Sequence, residues 1–411
     1  MTSNGPPVIE NAPGLTWRPR LVGWEARWQA RTDLVKRGFT PKTIRLWKGT
    51  VPTAAEIAFI QDRCGKLQAE MLVWGRGGLP DATSFTGTMR SLIACYETDP
   101  DSSYRKLRFH TREQYGSLTR RLVRDCGEIE LHSIKARDIL RWHEGWTAGG
   151  HIAMAHSLVG MLRTLFNFGA TILENDECER LAGVLHRMRF KMPKPRNERL
   201  TYEQACAVRE KAHYLGLHSI GFAQAMQFDL MLRQKDVIGE WVPMSEPGLS
   251  DTTFGQEKWL RGARWEEIDA NLVFRHVTSK RLKAIEVDLH NCPMVMEELG
   301  RIIKERGALP TSGPLIIYEA TALPYHSHQF RREWRMVADA AGLPKTVRNM
   351  DSRAGAISEA TDAGADLEHI RHAATHSDIS TTQNYSRGSV DKVANVMKIR
   401  VEHRNKKRTD G

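Results

Sequence analysis

No stretch of about 18 consecutive apolar residues occurs in the 411-residue chain, so nothing in it is expected to span a membrane. The opening MTSNGPPVIENAPG lacks a basic segment followed by an apolar one and does not read as a secretory leader. Cysteine is sparse: residues 64, 95, 126, 178, 206 and 292 lie far apart, and no two share a CxxC spacing. That argues against a zinc site or a disulfide framework and favours reduced thiols in a cytoplasm. There is no internal repeat, no phosphate-cradling P-loop, no HExxH and no carboxylate cluster suited to Mg²⁺. Neither a metal nor a nucleotide cofactor is expected.

What the chain does have is positive charge. Sixty Lys and Arg stand against 49 Asp and Glu, a net charge of +11 with pI about 9.4. With 41% hydrophobic and 27% charged residues the composition is that of a folded protein, long enough for two or three domains. A basic excess of this size suits a polyanion partner, though a basic enzyme with no such partner would look the same.

The organisation reads as five stretches. Residues 1–80 form an N-terminal extension whose first 14 residues look like a loose tail. Within it, 17–48 carries nine cations, two acids and four tryptophans. Such a mixture either holds a phosphate backbone or packs a small core. Thr53-Ala-Ala-Glu56 predicts a capped helix start, with the helix running to about Trp74 and GRGGLP at 75–80 ending it. Residues 84–190 read as helices. Segments 112–124 and 156–170 space their apolar residues by three and four, and 105–124 holds seven cations against one acid. A linker, KMPKPRNERLT, covers 191–201. The next domain, 202–395, is predicted mostly helical with one strand-like stretch, LVFRHVT and AIEVDL joined by SKRLK as a hairpin. A basic tail, 396–411, closes the chain.

Four segments carry residues suited to chemistry. FDLMLRQKDVIGEW puts Arg233 inside an apolar helix, with Asp236 as a possible partner. TSKRLK puts Lys280 at the hairpin tip, with Lys283 near enough to compete. MDSRAGAISEATDAGADLEHIRHAATHSDISTTQNYSR contains Arg353, His376 and Tyr385. Each has an ordinary explanation alone: a buried Arg pairs with a carboxylate, a hairpin Lys is solvated, a Tyr packs. His369, His372 and His376 have metal-like spacing, but Ser377 and Asp378 suggest a new helix that would part them.

Taken together the segments resemble the tyrosine recombinase, or phage integrase, family. Arg353, then DAGADLEHI, then HSDISTTQNY follow that family's pattern, and Tyr385 lies nine residues after His376. RLT at 199–201 resembles the family's entry into its catalytic domain. The resemblance spans roughly 84–395, and more weakly the N-terminal 80 residues look like an arm-binding extension. It implies a mainly α fold with a small β-sheet: a helical core-binding domain, a mixed α/β catalytic domain and an N-terminal extension. The two DNA-contacting domains are expected to close around the duplex as a clamp. It implies site-specific cleavage and rejoining of DNA through a 3′-phosphotyrosine, with Tyr385 as nucleophile. Arg233 and Arg353 would clamp the phosphate, Lys280 would protonate the leaving 5′ oxygen, and His376 would support the phosphate or the tyrosine. Implied partners are double-stranded DNA with inverted-repeat core sites, a homo-tetramer in the synaptic complex and a directionality or DNA-bending factor, all in the nucleoid. Two departures stand out. Met350 replaces the family's box histidine, for which Asn349 or His328 are the nearby substitutes. Thr375 replaces a glycine, which is awkward if the turn needs positive φ. A type IB topoisomerase uses similar residues, and a DNA-binding protein that has lost catalysis would fit Met350.

Overall fold

The computed structural model describes residues 5–75, 85–194, 196–386 and 401, with backbone only over 383–386. The fold is mainly α with small antiparallel sheets. Among the described residues no helix is long and apolar enough to cross a membrane. The chain groups into two compact units, residues 1–195 with 242–248, and residues 196–241 with 249–411. The first therefore holds both the N-terminal extension and the helical stretch that follows it.

The first unit opens with a three-stranded antiparallel sheet, β1 (Leu15–Pro19), β2 (Trp24–Gln29) and β3 (Thr43–Gly49), with α1 (Thr32–Lys36) between the last two. Register sorts its residues by face. Trp17, Ala26 and Trp47 are cross-strand neighbours on one face, and Arg18, Glu25 and Lys48 on the other. The first face packs on α2 (Ala54–Gly75), where Ile60, Cys64, Leu67 and Met71 meet a fully buried Trp28. The Trp17 and Trp47 rings meet edge to face, centroids 6.0 Å apart. So Trp28 is core and Trp17 and Trp47 pack half-buried against it, while cations occupy the opposite face, where Arg20 and Arg27 both bind the buried Glu25 carboxylate. The predicted capped start of α2 is present: Thr53 N donates to Glu56 Oε2 at 2.7 Å, and Glu56 N donates to Thr53 Oγ1 at 3.4 Å. The loose tail needs correction, because Ile9 and Ala12 are buried in this same core. Two apolar side chains among prolines carry no periodicity that would announce them.

Five helices follow in the same unit: α3 (Met89–Thr98), α4 (Phe109–Cys126), α5 (Ala136–Thr147), α6 (Ile152–Thr171) and α7 (Asp176–Arg187). They surround Leu92, Leu158, Leu162, Leu165 and Phe166, all fully buried. On α4 the buried residues Gly116, Thr119, Leu122 and Cys126 recur by three and four, which leaves Arg120 and Arg124 exposed.

The second unit is built on α8 (Tyr202–Tyr214) and α9 (His218–Asp229). Residues 220–228 of α9 are buried without a break, so it is the central helix of this core. Then come α10 (Gln234–Ile238), β4 (Glu240–Pro243, of which residues 240 and 241 group with this unit), β5 (Thr253–Phe254), β6 (Glu257–Leu260), β7 (Val273–Val277) and β8 (Ala284–Asp288). Next are α11 (Pro293–Arg306), β9 (Ile317–Tyr318), β10 (Leu323–Pro324) and α12 (Ser327–Ala340). The chain then forms α13 (Asp351–Asp362), α14 (Leu367–Ala373) and α15 (Ile379–Ser386). The β7–β8 hairpin is there as predicted, Val277 facing Ala284. The sheet β4-β6-β5 and the ribbon β9–β10 add to the single strand-like stretch expected. Their strands of two to four residues are too short for alternation to register.

Candidate active site

Two joints bring the candidate residues together. At the first, Leu200 lies against α13: its N donates to Asp351 O at 3.2 Å, and Arg196 Nη2 donates to Asp351 Oδ2 at 2.7 Å. Gly355 permits this, since a Cβ there would stand 1.8 Å from Leu200 O. At the second, Trp334 Nε1 and Gln224 Nε2 run a buried chain of hydrogen bonds across α12, α9 and Ser352 of α13, each 3.0 Å. The helix that carries Arg353 is thereby fixed on two sides.

Arg353 is 7% exposed. Its Nη1 donates to Met231 O at 2.6 Å and its Nη2 to Ala374 O. It spans from the break after α9 to the turn after α14. Arg233, expected inside an apolar helix, instead caps α10 beyond that break. The helix stops because Met231 takes φ 53°, and Asp236 Oδ2 accepts Arg233 N at 3.2 Å to start the next one. Leu230 and Leu232 are buried either way, so apolar spacing concealed the break. Arg233 Nη1 donates to Thr375 Oγ1 at 3.1 Å.

His376 follows directly on this turn. Thr375 does sit at positive φ, 53°, the conformation its β-branch disfavours. The turn is held by His376 N donating to Arg371 O at 2.9 Å, with Arg371 Nη1 donating to His376 O at 3.0 Å. The ring is 4% exposed, and its Nδ1 lies 3.0 Å from Thr382 Oγ1 on α15. Burial first, then the charges of Arg353, Arg233 and Lys283, push its pKa down to about 4. The imidazole is therefore neutral at physiological pH.

The hairpin tip is tied to the same place. Asp236 is fully buried, and its Oδ1 accepts Ser279 N at 2.6 Å. One carboxylate thus joins the backbone of Arg233 to the residue before Lys280. The tip closes by Thr278 N donating to Lys283 O at 2.9 Å, with Leu282 at φ 53°. Lys280 is exposed there, while Lys283 is half-buried and its Nζ donates to His376 O at 3.2 Å. The sequence signal for Lys283 was its closeness to Lys280. Met231, Arg371 and Thr382 were not anticipated; of these only Arg371, a cation in the last turn of a helix, follows a rule that could have found it.

Met350 precedes α13 and is 59% exposed. Of its two expected substitutes, Asn349 is buried with Nδ2 donating to Gln227 Oε1 at 2.7 Å, and exposed His328 has its ring 5.6 Å from that of His326. Tyr385 lies on α15, six residues along from Ile379, and its side chain is outside the described residues. His369 and His372 are on α14 and His376 is beyond it. Among the described residues no group of three or more His, Cys, Asp or Glu is placed to hold a metal.

No protein-family model and no curated protein matches the chain. Solved structures do. A lambda integrase dimer bound to a COC′ core site is 16% identical, with TM-score 0.56, covering 91% of this chain and 94% of that one. A lambda integrase tetramer bound to a Holliday junction is 14% identical, with TM-score 0.56, covering 91% and 95%. The Tn1549 transposon integrase in complex with circular intermediate DNA is 15% identical, with TM-score 0.54, covering 76% and 99%. The N-terminal sheet, the helical segment and the mixed α/β unit thus make up the integrase fold, the one that the resemblance to tyrosine recombinases implied.

Proposed function

We propose that the chain is a tyrosine site-specific recombinase, the integrase of a mobile element, which cuts and rejoins duplex DNA through a 3′-phosphotyrosine. The observation that carries this reading is the meeting of Arg353, Arg233 and His376 on one three-residue turn, 374–376. Two guanidiniums converging there suit a phosphodiester, whose negative oxygens repel a nucleophile until their charge is offset. Tyr385 Oη forms the new bond to phosphorus as its proton passes to solvent, the bond to the 5′ oxygen breaks, and that oxygen takes a proton from the Lys280 ammonium, which solvent reprotonates. The phosphate ester is conserved, so rejoining is the same step reversed and needs no ATP. The neutral ring of His376 can accept or donate one hydrogen bond without adding charge.

In this reading residues 84–190 bind the core site, 202–395 carry catalysis, and 1–80 contact DNA elsewhere. Paired inverted-repeat sites call for four protomers on two duplexes, and the lambda tetramer on a Holliday junction supports that stoichiometry by analogy of fold. The test is a nicked suicide substrate carrying DNA from around the gene, incubated in EDTA. Wild type is expected to form a covalent adduct and Tyr385→Phe to bind without forming one. Adduct at normal yield from Tyr385→Phe, or adduct formation that requires added Mg²⁺ or Zn²⁺, sinks the mechanism.

A further inference from the structure

Thr375 occupies the left-handed region at φ 53°, where glycine is at ease and a β-branched residue is strained. Strained residues persist where their surroundings hold them, and they gather at functional sites. This one is 4% exposed and stands between the two arginines. The carbonyl just before it, on Ala374, accepts from Arg353 Nη2, while its own hydroxyl accepts from Arg233 Nη1 at 3.1 Å. A glycine would relieve the backbone but could not make the second bond. Among the described residues, the other anchors of Arg233 are its backbone N–H on Asp236 and a 3.9 Å approach of Nη1 to Asp236 Oδ2. Among the described residues, the short, directed contact on its guanidinium is the threonine hydroxyl.

We infer that Thr375 is a positioning residue: its hydroxyl fixes the plane of the Arg233 guanidinium, so that the remaining N–H groups are aimed together with Arg353 at one phosphate. This rests on the recombinase reading for its consequence, but not for the contact itself. A hydrogen bond to a charged group accounts for about tenfold to a hundredfold in an equilibrium or a rate. Backbone strain and hydroxyl function pull in opposite directions, and that separates positioning from mere packing.

The experiment compares full-length Thr375→Gly, Thr375→Ser and Thr375→Val. Three readouts are taken: thermal melting, single-turnover cleavage of the suicide substrate, and nitrogen NMR of the arginine guanidiniums, with Arg233 assigned through Arg233→Lys. Thr375→Gly is expected to melt at or above the wild-type temperature yet cleave at least about tenfold slower. Thr375→Val is expected to be as slow, and Thr375→Ser to cleave within about twofold of wild type. The Arg233 Nη resonances should be resolved in wild type and Thr375→Ser, and averaged in the Gly and Val variants. Wild-type cleavage by Thr375→Gly or Thr375→Val overturns the inference, as do unchanged Arg233 resonances in both. Slowing that simply tracks lowered melting assigns Thr375 to packing and also overturns it. A wild-type protein that cleaves no suicide substrate removes the recombinase reading instead, and the NMR arm then decides the positioning alone.

Discussion

At the scale of single residues, burial and like charge together set the character of His376. Its folded pKa, about 4, is below the ordinary 6.5, so the unfolded chain binds more protons between those values. The contribution of the neutral ring to stability is complete above about pH 6.5 and is lost as pH falls toward 4. His376→Gln is expected to flatten that part of the stability curve, measured by denaturant unfolding at several pH values. In the same window, wild-type cleavage should show no inflection near 6.5 from this group. A slope unchanged by the substitution would place the titration elsewhere. Met350 poses a different question. It precedes Arg353 by three residues at the start of α13 and is more than half exposed, so a histidine there meets water rather than a dry core. Met350→His should leave melting unchanged and raise single-turnover cleavage, by about tenfold to a hundredfold if the transition state lacks that donor. A stable variant that cleaves much more slowly would refute the idea that position 350 serves the phosphate.

Among elements, the decisive contact is the one between the Leu200 segment and α13. Gly355 has no room for a side chain because Leu200 O, a backbone atom, occupies the place of its Cβ. Gly355→Ala must push the segment off the helix that carries Arg353. Its cost should be at least about 2 kcal/mol, despite alanine's better helix propensity. Equilibrium denaturation checks this, and a neutral or stabilising result would mean that the segment is not seated there. The same scale explains what could be read early and what could not. Thr53-Ala-Ala-Glu56, the α4 and α6 periodicities and the 273–288 hairpin are local patterns, and each forms where its sequence predicts. The break at 230–233 is not local in that sense. A hydrophobic run reads the same whether the chain continues as helix or turns, and here Arg353's bond to Met231 O and the Asp236 cap hold the turn.

For the whole molecule, the basic excess and the N-terminal sheet make the clearest expectation. Trp17, Trp28 and Trp47 belong to the core that α2 shares, while Arg18, Arg27 and Lys48 lie on the other face. A fragment beginning at Thr83 should still form adduct on a core-site substrate but lose part of the wild-type footprint, with a shallower dependence of binding on salt. Footprint and salt slope unchanged by the deletion would make the sheet a structural module. The sequence alone determined the composition-level picture and the identity of the candidate residues, because charge, spacing and the Arg353–His376–Tyr385 order are properties of the string. Which residues actually meet was decided only in three dimensions. Arg233 finds Thr375 across 142 positions, and Lys283 finds His376 across 93. Contacts that distant depend on how α9, α13 and the hairpin pack around a shared core, and no local pattern records that.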